Sequence, residues 1–103
     1  MTDLPVFVHD TRRIINCNDA ACSLFRCDAV DLIDRDMLDL IPDEMGRSLA
    51  SLRLRAMRDS GKLMRDITYP FRRFDNSVFL ARLKTVRLDD GQFETTLIYE
   101  DEE

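Results

Sequence analysis

Residues 5–21 read PVFVHDTRRIINCNDAA, and they set the frame for the rest of the chain. Residues 5–10, PVFVHD, carry β-formers and end on a polar turn, Thr11-Arg12-Arg13. Residues 13–17, RIINC, are a second run of β-formers, close enough to the first for a hairpin. Asn18 follows, and its side-chain oxygen suits a helix N-cap over the segment DAACSLF. Strand, turn, strand and capped helix are thus expected within twenty-odd residues of the N-terminus.

The N-cap device recurs downstream. Asp28 precedes AVDLI with Asp31 three residues on, and Asp36 precedes MLDLI with Asp39 three on. Each segment is too short to hold as an isolated helix, so each must pack on something. Their acidic first turns also oppose the helix dipole. Pro42 and Asp43 open one long helix, in which Met45, Leu49, Leu52 and Ala56 form an apolar stripe at helical spacing, widened by Met57. Gly61 suits a left-handed C-cap. Beyond it, residues 63–74 place Leu63, Ile67, Tyr69 and Phe71 on one strand parity, and Pro70 predicts an edge position or a bulge. Asp75-Asn76-Ser77 is a turn. Residues 78–88 form a long strand with Phe79, Ala81, Leu83 and Thr85 expected inward and Leu80, Arg82 and Lys84 outward. Asp89-Asp90-Gly91 closes a hairpin onto a last strand over residues 92–100. The order β-β-α-α-α-α-β-β-β predicts an α+β fold, a five-stranded mainly antiparallel sheet with helices on one face.

The chain has 103 residues, which fits a single domain over 1–103. Its apolar fraction of 45% and charged fraction of 34% describe a folding sequence, and three Gly and three Pro exclude collagen-like and linker readings. No apolar run is long enough for a membrane helix, and the N-terminus has neither the basic nor the long apolar region of a signal peptide. The net charge of −5 is segregated: −6 over residues 1–45, +6 over 46–73 and −5 over 74–103. The acidic total argues against nucleic-acid binding by this domain, and the basic middle complements its acidic flanks. Cys17, Cys22 and Cys27 are an odd count at a spacing that fits no common zinc or iron–sulfur pattern. They are read as packing residues in a reducing, cytoplasmic setting.

The element order and its residues resemble the PAS sensory-domain family over about Leu4 to Asp101. Phe7-Val8-His9-Asp10 precedes Ile14-Ile15-Asn16-Cys17-Asn18 and Asp19-Ala20-Ala21; Leu24-Phe25-Arg26-Cys27 and Asp31-Leu32-Ile33-Asp34 follow. Asp39-Leu40-Ile41-Pro42-Asp43-Glu44 matches the family's entry into its long helix, and Phe74-Asp75-Asn76-Ser77 its hairpin. Three departures stand out. Thr11-Arg12-Arg13 replaces the usual Asp-Gly turn, Arg26 and Asp34 replace two usual glycines, and the closing Asp-Ile-Thr is present only as Asp101-Glu102-Glu103. The resemblance implies a module excised from a larger signalling protein.

It also implies a central pocket, for which Phe7, Leu49, Leu52, Tyr69, Phe79, Leu83 and Thr95 are the candidate ligand-binding residues, with Tyr99 and Asp101 relaying a signal out of the last strand. Tyr69 and Thr95 are the discriminating members, because a buried hydroxyl needs a partner. Cofactor identity stays open. The Asn16-Cys17 pair lacks the flavin photosensor motif around it, and the haem branch's helix histidine has no counterpart, since Leu49 falls near that position and His9, on the first strand, is the sole histidine. Neither a catalytic triad nor a phosphate-binding Gly-rich loop is visible. The expectation is a non-enzymatic sensory or interaction module with a small ligand or a partner domain. It would be linked to a histidine kinase, diguanylate cyclase or transcription regulator. The alternative is a structural homodimerisation module with a filled core and outward Leu80, Leu54 and Leu88.

Overall fold

The computed structural model describes residues 4–61, 63 and 65–99. Strands β1 (Val6–His9), β2 (Ile14–Cys17), β3 (Arg65–Arg72), β4 (Val78–Arg87) and β5 (Phe93–Tyr99) form one sheet in the order β2-β1-β5-β4-β3. Every pairing is antiparallel. Between β2 and β3 lie α1 (Asp19–Phe25), α2 (Ala29–Leu32), a 3-10 turn (Met37–Leu40) and the long α3 (Glu44–Ser60). The α+β architecture expected from the sequence is the one observed.

Local chemistry explains most element boundaries. Asn18 Oδ1 accepts from the Ala21 N–H at 2.9 Å, capping α1, and also from the Val6 N–H at 3.1 Å. Its amide donates to Leu4 O at 2.9 Å, so one side chain staples β1 to the helix start. Asp36 caps the 3-10 turn through Leu38 N–H and Asp43 caps α3 through Gly46 N–H. Gly61 ends α3 in the left-handed region at φ 74°. Pro70 lies on an edge strand as predicted; the register shift in β3 falls between Arg65 and Ile67, not at the proline.

Among the described residues four that are not glycine have positive φ: Thr11, Arg26, Asp34 and Asn76. The first three fall where the resemblance leads one to expect glycine. The backbone path is kept although the residue that favours it is gone, at a cost of about 1–2 kcal/mol per L-residue before compensation. Local contacts offset part of it. Arg26 pairs with Asp75, the Asp34 N–H donates to Ile14 O at 2.7 Å, and the Thr11 N–H donates to His9 Nδ1 at 3.1 Å.

The inner sheet face carries Phe7, His9, Tyr69, Phe71, Phe79, Ala81, Leu83, Thr85, Phe93, Thr95 and Leu97, all buried. The β4 alternation is the one read from sequence. The face of α3 is not. Met45, Leu49 and Leu52 are 74%, 46% and 61% exposed, while Gly46, Ala50, Leu54 and Met57 turn inward. Both sets have helical spacing. The inner one is chosen because α3 starts close against the chain before it: a Cβ on Gly46 would lie 2.5 Å from Asp43 Oδ1 and 3.0 Å from Ile41 Cγ2. Leu54, expected outward, is therefore core; Leu80 is outward as expected, and Leu88 is half-buried.

Candidate functional site

Between α3, the 3-10 turn and the inner sheet face lies a cavity of about 40 Å³. Its walls are Phe7, His9, Thr85 and Thr95 at one end, Tyr69, Phe71 and Leu83 from β3 and β4, and Met37, Leu38, Leu40, Ile41, Ala50, Leu54 and Met57 from the helical side. Of the candidates named from sequence, Phe7, Tyr69, Leu83 and Thr95 line it. Leu49 and Leu52 do not, because they sit on the outer face of α3. Phe79 points inward but farther along β4, where its ring packs against Phe25, Phe71 and Tyr99 at centroid distances of 5.5, 5.7 and 6.1 Å. Tyr99 is thus half-buried against the aromatic cluster, and Asp101 lies outside the described residues.

The polar end is a chain of hydrogen bonds. Thr11 N–H donates to His9 Nδ1, so the imidazole proton sits on Nε2 and donates to Thr95 Oγ1 at 2.8 Å. Thr95 Oγ1 and Thr85 Oγ1 share one hydrogen at 3.0 Å. Two hydroxyls bring two hydrogens, so one remains unused among the described residues. Burial pushes the His9 pKa down to about 4, with the neighbouring Asp10 acting weakly in the other direction. The ring is therefore neutral at pH 7 and its two nitrogens are both committed, which leaves neither for iron.

Tyr69 is the second polar group. Its side chain is buried and its hydroxyl has no hydrogen-bond partner among the described residues. Burial raises its pKa, partly offset by the charge and hydrogen-bonding reach of the Arg53 guanidinium, which lies 5.9 Å from the ring centroid but does not meet the hydroxyl with full hydrogen-bond geometry. A buried hydroxyl without a partner costs about 1–3 kcal/mol. Tyr69 and the threonine pair thus offer two hydrogen-bonding points in an otherwise apolar chamber. The resemblance had named Tyr69 and Thr95 as candidate lining residues; His9 as a wall residue and Thr85 as the second hydroxyl were not among them, although both share the inward parity of their strands.

Cys17 Sγ and Cys22 Sγ lie 3.8 Å apart. Burial pushes the Cys17 and Cys27 thiols up to about 11, aided for Cys17 by the hydrogen bond with Cys22, so both stay protonated and weakly nucleophilic. Among the described residues no group of three or more His, Cys, Asp or Glu side chains is placed to hold a metal ion, and no helix is long and apolar enough to cross a membrane. A volume of about 40 Å³ holds roughly three water-sized atoms. A flavin or a haem does not fit among these residues as they stand.

Comparisons with known proteins agree with this geometry. Residues 2–98 match the PAS fold family. The chain superposes on the PAS domain of a LuxR-family transcriptional regulator from Burkholderia thailandensis, in complex with ethanol, at TM-score 0.75 and 21% identity, covering 96% of this chain and 90% of that one. It superposes on a domain of a sensory box sensor histidine kinase/response regulator from Geobacter sulfurreducens at TM-score 0.79 and 16% identity, covering 92% and 82%. A third likeness is to the PAS domain of the quorum-sensing receptor RpfR from Cronobacter turicensis, in complex with C12:0. There the TM-score is 0.82 at 7% identity, covering 98% and 97%. No curated protein matches the chain in sequence.

Proposed function

The chain belongs to the PAS fold family, and from that premise we propose that it is a non-catalytic sensory module of a cytoplasmic signalling protein. Its central cavity takes a small neutral molecule, and β5 carries the response outward. The observation that supports this most directly is the Tyr69 hydroxyl, buried in the cavity wall without a partner among the described residues. A ligand carbonyl or hydroxyl would satisfy it, and the spare threonine hydrogen could hold a second acceptor. Apart from neutral His9 and Tyr69 no titratable side chain among the described residues lines the chamber, so a charged ligand would enter uncompensated. Size argues likewise. About three heavy atoms at a ceiling near 1.5 kcal/mol each give a Kd no tighter than roughly 0.5 mM. A longer chain such as C12:0 would require the helices to move.

β5 is the natural relay because it meets the site and the sheet centre at once. Thr95 reaches the cavity, and Tyr99 near the strand's end packs on Phe79. Asp101 would continue this path toward a linked effector, of the kind that the Burkholderia regulator and the Geobacter kinase exemplify. Ligand binding shifts such a relay only if the two arrangements of β5 bind it unequally.

The test is an NMR titration of the domain with ethanol, with formate as the charged control. The expected result is saturable shifts at Thr85, Thr95 and Tyr69 in the millimolar range for the alcohol alone, weakened about tenfold in Tyr69→Phe. Linear, non-saturating shifts, or equal binding by the Phe variant, would remove the basis for this site.

A second reading rests on the outer sheet face, where Val78 and Leu80 are 55% and 63% exposed on the same strand. They would form a homodimer contact, without Leu54. Sedimentation velocity decides it: a species of twice 12.0 kDa supports the contact, and a monomer across the micromolar range excludes it.

A further inference from the structure

The β3–β4 hairpin and the 3-10 turn enclose a second, larger cleft of about 170 Å³, lined by Arg35, Asp39, Leu40, Arg72, Arg73, Phe74 and Asn76. We propose that this cleft binds the phosphate group of a small phosphomonoester.

The guanidiniums are set in place by groups that do not cancel their charge. Arg73 Nε donates to Leu24 O at 2.8 Å and its Nη1 to Ser77 Oγ at 3.2 Å, while its face lies 4.5 Å from the Phe79 ring centroid. Arg35 Nε donates to Asp31 O at 2.8 Å, and its guanidinium stacks over Phe74 at 4.9 Å. Backbone carbonyls, a hydroxyl and aromatic faces orient both cations; of the two, only Arg35 also faces a carboxylate, that of Asp39. Arg72 is half-buried, and its side chain makes no hydrogen bond or ion pair among the described residues. The one carboxylate in the lining among the described residues, Asp39, stands 3.6 Å from Arg35. Three cations against one anion leave a surplus of two charges.

Neighbouring acids do not remove that surplus. Asp31 and Asp36, whose carboxylates accept from Asp28 N–H and Leu38 N–H at helix starts, do not line the cleft. Asp75 is taken by Arg26 and Ser77. A surplus of two matches a phosphate monoester, which carries nearly two negative charges at pH 7, better than a single carboxylate. Guanidinium forks pair with phosphate oxygens in bidentate fashion. The volume admits the phosphate with a few further atoms, which favours a small molecule over a peptide segment. Leu40 lines both this cleft and the central cavity, so the two sites share a wall.

The experiment is an isothermal and NMR titration of the domain with glycerol phosphate and inorganic phosphate, at fixed ionic strength, against sulfate and chloride. Expected are a submillimolar Kd for both phosphates, shifts confined to residues 35–40 and 72–77, and binding that tightens between pH 5 and 7.5 as the second phosphate proton leaves. Arg72→Gln should weaken binding at least tenfold, and Arg72→Lys should not restore it fully. Tyr69→Phe should leave it unchanged, which separates this site from the cavity. Chloride binding as tightly, phosphate binding with no change between pH 5 and 7.5, or Arg72→Gln and Arg35→Gln both binding like the parent, overturns the proposal; sulfate, a tetrahedral dianion at every pH tested, should bind without that pH dependence. Preference for a phosphoserine peptide over glycerol phosphate by tenfold or more also overturns it, in favour of a protein partner.

Discussion

Helix α3 carries two apolar stripes of similar spacing, and they have opposite fates. Met45, Leu49, Leu52 and Ala56 face outward; Gly46, Ala50, Leu54 and Met57 face the sheet. By side-chain size the outer stripe is the more hydrophobic one. The inner stripe wins because the helix begins hard against Ile41 and Asp43, where only a glycine fits without displacement. Small residues at 46 and 50 let the backbone approach, and Leu54 and Met57 then fill what is left beside the cavity. A helical face is thus selected by fit to its partner as much as by its own apolarity.

The contrast is open to direct attack, beginning where the effect is greatest. Leu54→Ala should lower stability by about 2–5 kcal/mol, the usual cost of removing a buried leucine, and should enlarge the cavity. Chemical denaturation would show it as a fall in the midpoint without a change in slope. A loss below about 1 kcal/mol would mean that the inner stripe is not core.

Acid probes the same chamber from the opposite wall. His9 has a folded-state pKa of about 4 against 6.5 in an unfolded chain. Between those values the unfolded state takes up a proton that the native state refuses, so stability falls as pH drops through that window and is flat above it. Between pH 7.5 and 5 the loss should be about 2 kcal/mol. Thermal melts across that range, repeated on His9→Gln, would test this, since the variant should lose most of the slope. A wild-type profile as flat as the variant's would mean that the imidazole is solvated.

Last and smallest, Leu52→Ala should change stability by less than about 0.5 kcal/mol, as for an ordinary surface site. A larger cost would show that the outer stripe is covered in solution.

How much of this was legible in the sequence depended on the range of the interactions. Asp36, Asp43 and Gly61 act within a turn of their own positions and end or start their elements as expected; Asn18 caps α1 as expected but also reaches back to Leu4 and Val6, which its sequence neighbours did not signal. The inward set of β4 followed from strict alternation, and it brought Leu83 to the cavity while Phe79 went to the aromatic cluster beneath α1. Parity gives the face of a strand, not the place along it. The choice of α3 face was hidden because two stripes satisfied the same periodicity. The left-handed turns at Arg26 and Asp34 had no signal in the residues themselves; only the likeness to a family with glycine there marked them. The arginine cleft had none at all, because Arg35 and Arg72 meet only when the hairpin folds over the 3-10 turn.

The sheet order has a kinetic consequence. β1 pairs with β2, and β3 with β4 and β4 with β5, all through short connections, whereas β1 meets β5 by joining Val6 to Thr96 across nearly the whole described chain. Local hairpins close quickly, and the entropy of closing the long loop must be met before its contacts give anything back. On a ribosome, β1 therefore waits with one edge unpaired until the last strand has emerged. The step that completes the sheet also closes the polar end of the cavity, because His9 meets Thr95 only across that seam.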